Sequence, residues 1–291
     1  MNITTQHHEP AHNQADSSRT HQADGSARVA AFFDLDKTII ATSSAFAFGK
    51  EFLNNGLITP ADAFHMTLAK ASYMMAGQSS EQMDATRDQL AAMVSGWSVD
   101  DVESIAAETM HSVVTPAIYA EARELIKFHQ AAGHQVVIIS ASEATLVRLI
   151  AAELGVEHVM ATELEIIDGH FTGNIVRYLK GAAKAEAIAE ICAEYSLDLS
   201  QSFAYSDSAT DIPMLEMVGN PVAVNPDRAM KKKALEAGWD IRSFRQPVPL
   251  FTLPGAKEVG IGASVVAGVA ALVAAGVWLY QRPAPFGQRL A

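Results

Sequence analysis

A short apolar segment that ends in two carboxylates is the feature of this chain that most restricts its fold. Residues 29–33 carry no polar side chain, and Asp34 and Asp36 come directly after them. An uninterrupted apolar run of this length is typical of a strand buried on both faces of a parallel sheet. Open α/β sheets bind their ligands at the carboxyl ends of such strands. The pattern therefore predicts an α/β fold with acidic groups at the functional edge of its sheet.

The spacing of the two carboxylates also restricts their chemistry. Two negative charges this close together repel each other strongly unless a cation lies between them. Carboxylate oxygens are preferred ligands of Mg²⁺, so a magnesium site is predicted here. A carboxylate can also attack phosphorus and carry the phosphoryl group as an aspartyl phosphate. Asp34 and Asp36 are therefore candidates for metal binding and for nucleophilic catalysis.

The composition narrows the class of protein. The chain has 291 residues, of which 49% are hydrophobic, so it can build a sizeable core. Its formal net charge of −12 argues against a nucleic-acid partner, because nucleic acids are polyanions. Cys192 is the one cysteine of the sequence, which excludes an intrachain disulfide and fits a reducing compartment.

The two ends of the chain differ from its middle. Residues 1–27 are polar and lack the apolar core of a secretory signal, so we expect a disordered tail. Residues 259–280 carry no charge and would span about 33 Å as a helix, which matches a hydrocarbon core of roughly 30 Å. Trp278 and Tyr280 lie where interfacial aromatic residues are found. A single C-terminal membrane anchor is predicted, with a buried core helix as the alternative.

The predicted anchor has two consequences for location and assembly. With no signal ahead of it, the domain that precedes the span is expected in the cytoplasm. Small residues at four-residue spacing in the span (Gly260, Ser264 and Gly268) could pack against a second helix, so a homodimer is left open.

Between these ends, predicted strands alternate with predicted helices. Such alternation predicts a doubly wound, mostly parallel sheet with helices on both faces. Residues 43–118 interrupt the alternation with helical patterns alone, which indicates a helical cap above the sheet edge. The further strands are predicted at 135–139, 157–161, 163–167, 170–175, 202–205 and 221–224. The predicted segments are a tail at 1–27, a core at 28–42 and 119–246, a cap at 43–118, a linker at 247–258, an anchor at 259–280 and a short tail at 281–291.

Four separated pieces of sequence bring polar groups to one edge of this predicted sheet. Each is ordinary by itself, since a lysine early in a helix is usually solvated and an acid before a helix often only caps it. Their order along the chain and their places after strands make the set specific. The pieces are Asp34, Asp36 and Thr38, then Ser140, then Lys184, then Asp207 and Asp211.

This set resembles the motifs of the haloacid dehalogenase superfamily, closest to its phosphoserine-phosphatase-like branch, over about residues 29–244. The family's first motif, Asp-x-Asp-x-Thr, is matched at 34–38, and its second, a Ser or Thr that closes a strand, at Ser140. Its fourth motif, Gly-Asp-x-x-x-Asp, is matched at 206–211 with a serine in place of the glycine. The resemblance implies an α/β phosphohydrolase core with a helical cap between the first two motifs.

The third motif of the family is a lysine, for which the sequence offers two choices. Lys184 is the better match, and Lys180 competes with it. The resemblance implies that this lysine and Ser140 bind the transferring phosphoryl group. It also implies that Asp211 orients the lysine or a metal-bound water, and that Thr38 supports the first loop.

The resemblance further implies a mechanism for the acidic residues. Asp34 would be the nucleophile that forms a phosphoaspartate. Asp36 would protonate the leaving alcohol and then act as the base on the hydrolytic water. Mg²⁺ would be held by the Asp34 side chain, the Asp36 backbone carbonyl and the Asp207 side chain.

Two positions bear on the substrate. Ser43 stands where phosphoserine-specific members carry a glutamate that reads the substrate's amino group, and serine cannot supply that charge. Arg87, in the predicted cap, could bind a substrate carboxylate, and an exposed helical arginine is the alternative reading.

The resulting prediction is a Mg²⁺-dependent phosphomonoester hydrolase that acts through a phosphoaspartate on a small phosphorylated metabolite. Phosphoserine phosphatase proper, a lipid-phosphate phosphatase and a phosphotransferase are alternatives on the same fold. A catalytically inactive, membrane-tethered binding protein is the alternative of a different class. The intact set Asp34, Asp36, Lys184 and Asp207 argues against it.

Overall fold

A computed structural model describes residues 28–59, 88–89 and 91–245. Its strands are β1 (Ala30–Phe33), β2 (Gln135–Glu143), β3 (His158–Ile167), β4 (His170–Arg177), β5 (Phe203–Ser206), β6 (Asn220–Val224) and β7 (Asp240–Arg242). They form a seven-stranded sheet in the order β4-β3-β2-β1-β5-β6-β7. β4 runs antiparallel to β3, and the other neighbouring pairs are parallel.

Helices pack on both faces of this sheet. In the described part of the chain they are α1 (Ser44–Asn54), α2 (Val99–Thr109), α3 (Ala120–Ala131), α4 (Ala144–Glu153), α5 (Ala182–Tyr195), α6 (Ile212–Leu215) and α7 (Arg228–Ala237). A π-helical turn at Met110–Val114 and 3₁₀ turns at Thr115–Ala117 and Ala209–Asp211 accompany them.

The alternation of side chains along β1 explains why that segment is apolar throughout. Ala31 and Phe33 belong to the core cluster that contains residues of α1 to α4. Ala30 and Phe32 point to the other face and pack with residues of α5 to α7. Because both faces are covered, no position of the strand meets water. The predicted α/β class with a mostly parallel sheet is confirmed.

The bounds of several elements differ from the sequence prediction. β3 is continuous, although strands were expected to end at 161 and begin again at 163. It changes partner there, from β2 to β4, and a change of partner leaves no break in the sequence pattern. β7 was missed because it is a short edge strand with three exposed residues.

The sequence pattern also predicts a helix over about 211–217, and the observed helix is shorter. The segment begins with the 3₁₀ turn Ala209–Asp211, and α6 occupies only Ile212–Leu215. Pro213 lies in the first turn of α6, where its missing N–H costs nothing. The 3₁₀ turn brings Asp211 back beneath Ser206, which matters for the site described below.

The described chain between β1 and β2 is mostly helical, and its segment at 96–99 is hydrogen-bonded to the β3–β4 hairpin. The Gly96 N–H donates to the Phe171 carbonyl at 2.7 Å, and the Val99 N–H donates to the Gly169 carbonyl at 2.9 Å. Through these bonds an extended segment of the predicted cap pairs with the hairpin, although the sequence predicted only helices in the cap. The segment boundaries given above stay predictions.

Several sequence predictions fall outside the described residues. They are the tail at 1–27, Arg87, the linker at 247–258 and the apolar span at 259–280. Within the described ranges, no helix has both the length and the apolar character needed to cross a bilayer. The anchor, the cytoplasmic location and the homodimer therefore stay predictions.

Candidate active site

The carboxyl ends of two adjacent strands place Asp34 and Asp207 at the same edge of the sheet. β1 and β5 pair in parallel, with Phe33 opposite Tyr205. The Asp34 N–H donates to the Tyr205 carbonyl at 2.9 Å, so the ladder continues one residue past β1. Asp207 follows the end of β5 directly. Parallel pairing alone is therefore enough to bring these two acids together.

A buried lysine joins the acids of the first and fourth motifs. Lys184 lies in the first turn of α5 and is only 2% exposed. Its Nζ donates to Asp34 Oδ1 at 2.6 Å and to Asp211 Oδ2 at 2.7 Å. The Ser206 hydroxyl also donates to Asp211 Oδ2, at 2.8 Å. Asp211 therefore holds the ammonium in place, and the ammonium faces the Asp34 carboxylate.

Thr38 and Ser140 lie close to this centre in different ways. The Thr38 hydroxyl donates to Asp34 Oδ2 at 3.2 Å, so both oxygens of Asp34 are contacted. Ser140 is buried in β2, next to β1, and its Oγ accepts the Ser142 N–H at 3.1 Å. Its hydroxyl lies in the strand that flanks Asp34, which suits a donor aimed at the same edge.

The centre carries more negative than positive charge. Burial raises the pKa of Asp34 to about 7, with further increases from Asp211 and Asp207 and a counteracting decrease from Lys184. Burial likewise raises the pKa of Asp207 to about 6, although the charge of Lys37 lowers it. Burial would lower the pKa of Lys184, but the adjacent carboxylates outweigh this and raise it. One buried ammonium thus faces three carboxylates.

This charge imbalance is the structural test for a metal ion. Among the described residues, the side-chain carboxylate of Asp207 accepts no hydrogen bond from another residue, and its charge penalises ionisation of Asp34. Hard oxygen donors with excess negative charge fit Mg²⁺. Among the described residues, no three His, Cys, Asp or Glu side chains form a metal cluster. The two carboxylates would therefore need a backbone oxygen to complete a protein ligand set, as the sequence prediction has it.

Asp36 lies apart from the lysine, in a pocket of serine groups. The Ser44 N–H donates to its Oδ1 at 2.9 Å, and the Ser142 hydroxyl donates to its Oδ2 at 2.9 Å. The Ser44 and Ser142 hydroxyls are 2.8 Å apart. Burial raises the pKa of Asp36, and hydrogen bonds from Ser44, Ser142 and Ser43 oppose this rise.

The structure places the two candidate lysines of the third motif and the residue Ser43. Lys180 lies before α5, and its Nζ is 6.0 Å from the centroid of the Tyr178 ring, whereas Lys184 contacts Asp34. Ser43 is the N-terminal cap residue of α1 and lies beside Asp36. It is therefore close to the acidic centre, as its position nine residues after Asp34 suggested.

Sequence reasoning missed the serines that hold Asp36. Ser44 was taken as part of a cap helix, and Ser142 was not singled out. Two signals were present: a Ser-Ser pair before a helical pattern and the Ser-x-Ser sequence at the end of β2. Serine is common at both kinds of position because its hydroxyl caps helices and bonds to nearby backbone. The sequence therefore does not indicate that these two serines meet at Asp36.

A mostly parallel sheet with a buried lysine between acids at its carboxyl edge is typical of α/β enzymes that act on phosphate groups, and comparison with known proteins agrees. The sequence model of the haloacid dehalogenase-like hydrolases matches residues 31–216. A probable phosphatase of Mycobacterium tuberculosis H37Rv is 44% identical over 252 residues, which cover 86% of this chain and 88% of that protein. The chain belongs to the haloacid dehalogenase-like hydrolase family, and it is a phosphatase.

Two further similarities refine this assignment. The phosphoserine phosphatase SerB1 of M. tuberculosis H37Rv is 35% identical over 245 residues, which cover 83% of this chain and 80% of that protein. A crystal structure of a protein of unknown function from Bordetella pertussis Tohama I has a TM-score of 0.66 and 27% identity, covering 78% of this chain and all of that one. The resemblance inferred from the four motifs is confirmed.

Proposed function

We propose that the protein is a Mg²⁺-dependent phosphomonoester hydrolase that acts through a phosphoaspartate at Asp34 on a small phosphorylated metabolite. The observation that carries the proposal is the contact of Lys184 Nζ with Asp34 Oδ1, 2.6 Å long, at the carboxyl end of β1. A buried cation beside a carboxylate is what a nucleophile needs when it attacks an anionic phosphate.

In the first half of the reaction, a carboxylate oxygen of Asp34 attacks phosphorus and the bond to the leaving alcohol oxygen breaks. Asp36 gives its proton to that oxygen, so the product leaves as a neutral alcohol. Lys184 and the Ser140 hydroxyl contact the phosphoryl oxygens and stabilise their charge. The raised pKa of Asp36 favours the protonated form that this step requires.

In the second half, water hydrolyses the phosphoaspartate. Asp36, now a carboxylate, takes a proton from the water as its oxygen bonds to phosphorus, and Asp34 leaves as a carboxylate. Inorganic phosphate is released, and Asp36 has its proton back. Because one group serves both halves, its carboxyl must stay in reach of the alcohol oxygen and of the water that replaces it.

Mg²⁺ would be held by the side chains of Asp34 and Asp207 and by the backbone carbonyl of Asp36. When bound, the ion supplies positive charge that offsets the phosphoryl oxygens. The support for this ligand set is the excess of buried carboxylates, since the pKa of Asp34 lies near 7 and that of Asp207 near 6 without an ion. A divalent cation would keep both ionised at neutral pH.

Removal of the ion provides a direct test. We expect EDTA to abolish phosphatase activity and Mg²⁺ to restore it. Asp207→Asn should lower kcat/KM by at least about 100-fold and weaken the dependence on Mg²⁺, because a charged ligand is lost. Mg²⁺ should also raise the melting temperature of the parent, and less so that of the variant.

Asp240→Asn is the matched control for Asp207→Asn. Asp240 is exposed and begins β7, so it lies at the opposite edge of the sheet. This variant should keep the parent's activity and response to Mg²⁺. Full activity of the parent in EDTA would contradict the proposed metal dependence.

The side chain at position 43 restricts the class of substrate that we propose. The similarity to a phosphoserine phosphatase favours phosphoserine as the alternative substrate. Ser43 lies beside Asp36 and has no charge with which to offset the desolvation of a substrate ammonium. We therefore expect kcat/KM for phosphoserine to be no higher than that for another small alkyl phosphate that lacks the amino group.

The measurement is kcat/KM for phosphoserine beside a panel of phosphomonoesters of similar size. Ser43→Glu serves as the matched variant, since it restores the charge that phosphoserine-specific relatives are expected to carry. It should shift the ratio toward phosphoserine by about 10-fold or more. A parent that prefers phosphoserine by more than about 10³-fold, worth roughly 4 kcal/mol, would show that another residue reads the amino group.

A further inference from the structure

The carboxylate of Asp36 is contacted on both of its oxygens by residues from two distant parts of the chain. Ser44 is the first residue of α1, and its N–H donates to Oδ1 at 2.9 Å. Ser142 lies near the end of β2, and its hydroxyl donates to Oδ2 at 2.9 Å. The two serines are 98 residues apart in sequence, and their hydroxyls are 2.8 Å apart.

The direction of these hydrogen bonds is fixed by chemistry. As the acid, Asp36 needs its own proton free for the leaving alcohol, so its oxygen beside Ser142 accepts and the Ser142 hydroxyl donates its one hydrogen to Oδ2. The Ser44 hydroxyl must therefore donate to Ser142 Oγ. The result is a one-way chain from Ser44 to Ser142 to Asp36, in which Ser44 is completely buried.

We infer that Ser142, itself held by the Ser44 hydroxyl, is the residue that positions the Asp36 carboxyl for proton transfer to the leaving alcohol. The inference rests on the proposed function, because it takes Asp36 as the acid and base. The backbone N–H of Ser44 and the hydroxyl of Ser142 together fix the plane of the carboxyl. Each oxygen keeps a second lone pair, which can carry the proton that is passed to the substrate.

This arrangement links the proton donor to the first helix of the predicted cap. Asp36 precedes α1 by eight residues, and the N-terminal residue of that helix holds one of its oxygens. β2 supplies the other contact from the core. The orientation of Asp36 therefore depends on how the N-terminus of α1 packs against β2. A misplacement of the Asp36 carboxyl by about 1 Å is enough to lower the rate on the order of 100-fold.

The test compares two kinds of leaving group. An alkyl phosphate needs its leaving oxygen protonated, whereas p-nitrophenyl phosphate releases an acidic phenol that needs little help from an acid. Ser142→Ala should lower kcat/KM for the alkyl phosphate by about 30-fold or more and that for p-nitrophenyl phosphate by less than about 3-fold. Ser142→Thr keeps a hydroxyl at the same position and should restore most of the loss. Ser44→Ala should give a smaller loss in the same direction, because its backbone N–H remains.

Ser202→Ala is the matched control for the loss of a buried hydroxyl. Ser202 is completely buried, accepts the Ala30 N–H at 2.9 Å and donates to the Asp198 carbonyl at 2.6 Å, at the amino end of β1. It should lower the melting temperature without changing the ratio between the two substrates. An equal loss on both substrates in Ser142→Ala, or no loss on either, would overturn the inference.

Failure of the positioning role of Ser142 can be distinguished from failure of the proposed function. If Asp34→Asn retains the parent's phosphatase activity, the phosphoaspartate mechanism is wrong. If Asp34→Asn is inactive while Ser142→Ala and Ser44→Ala leave the leaving-group ratio unchanged, only the positioning role is wrong. Should Ser142→Ala fail to fold, the leaving-group ratio of Ser44→Ala decides.

Discussion

Asp34→Asn should lower phosphatase turnover by at least about 10⁴-fold while the chain stays folded. The substitution keeps the shape of the side chain but removes the charge that attacks phosphorus, and residues that form a covalent intermediate have losses of this order. The fold should survive, because burial already disfavours the ionised form of Asp34 and raises its pKa to about 7. An asparagine oxygen can still accept the hydrogen bond from Lys184.

The measurement is kcat/KM with a fast alkyl phosphate, together with thermal unfolding of both proteins. Substrate labelled in the phosphoryl group, quenched in acid, should leave label on Asp34 of the parent and none on the variant. Asp240→Asn is again the control for loss of a carboxylate. A folded Asp34→Asn variant with near-normal turnover would rule out the aspartyl-phosphate mechanism.

Lys184→Met should have the second-largest effect, on activity and on stability together. Methionine has a similar volume but leaves the buried carboxylates of Asp34 and Asp211 without their cation. Breaking a buried ion pair by removing one partner costs about 3–5 kcal/mol of unfolding free energy. Activity should fall by about 10³-fold or more, because a positive charge that offsets the phosphoryl oxygens is lost.

The stability loss should depend on pH with a definite sign. With the lysine removed, the pKa of Asp34 rises above its present value of about 7, so the folded state holds a proton that the unfolded state releases. The unfolding free energy of Lys184→Met should therefore increase as pH falls from about 8 to about 6. This is measured by urea unfolding without Mg²⁺, since the metal would itself offset the missing charge.

Two further variants isolate the cause. Lys184→Met combined with Asp211→Asn removes one of the uncompensated acids, and should recover part of the stability but none of the activity. Lys232→Met removes an exposed lysine whose partner, Glu236, lies 3.8 Å away. Surface pairs of this kind contribute little, so this variant should change the unfolding free energy by less than about 0.5 kcal/mol. A Lys184→Met variant as active as the parent would contradict the role proposed for the ammonium.

Much of the fold could be predicted because it depends on local patterns. Apolar runs bounded by turn residues predicted the core strands, and their alternation with helical segments predicted a parallel sheet. The details that failed depend on partners. β3 continues past 161 because β4 replaces β2 as its neighbour, and β7 exists only because β6 offers an edge for pairing.

The acids of the site were predictable for a related reason. Asp34 and Asp207 follow strands that are adjacent and parallel, so their closeness is a consequence of sheet topology. The choice between Lys180 and Lys184 was not settled by sequence. It depends on where α5 begins: Lys180 lies before the helix, whereas Lys184 lies in its first turn and contacts Asp34.

The pattern along the chain was enough to predict an α/β core with acids at the carboxyl edge of its sheet, and the resemblance of its motifs added the phosphatase chemistry. Strand periodicity is a local property, and the order of the motifs is read directly along the chain. How Asp36 is held could not be predicted in this way, because its two contacts come from Ser44 and Ser142, which are 98 residues apart in sequence and meet only in the folded protein. A serine at the start of a helix and another near the end of a strand look ordinary by themselves. Their meeting depends on the docking of α1 against β2, where side chains with no sequence relation come within hydrogen-bond distance.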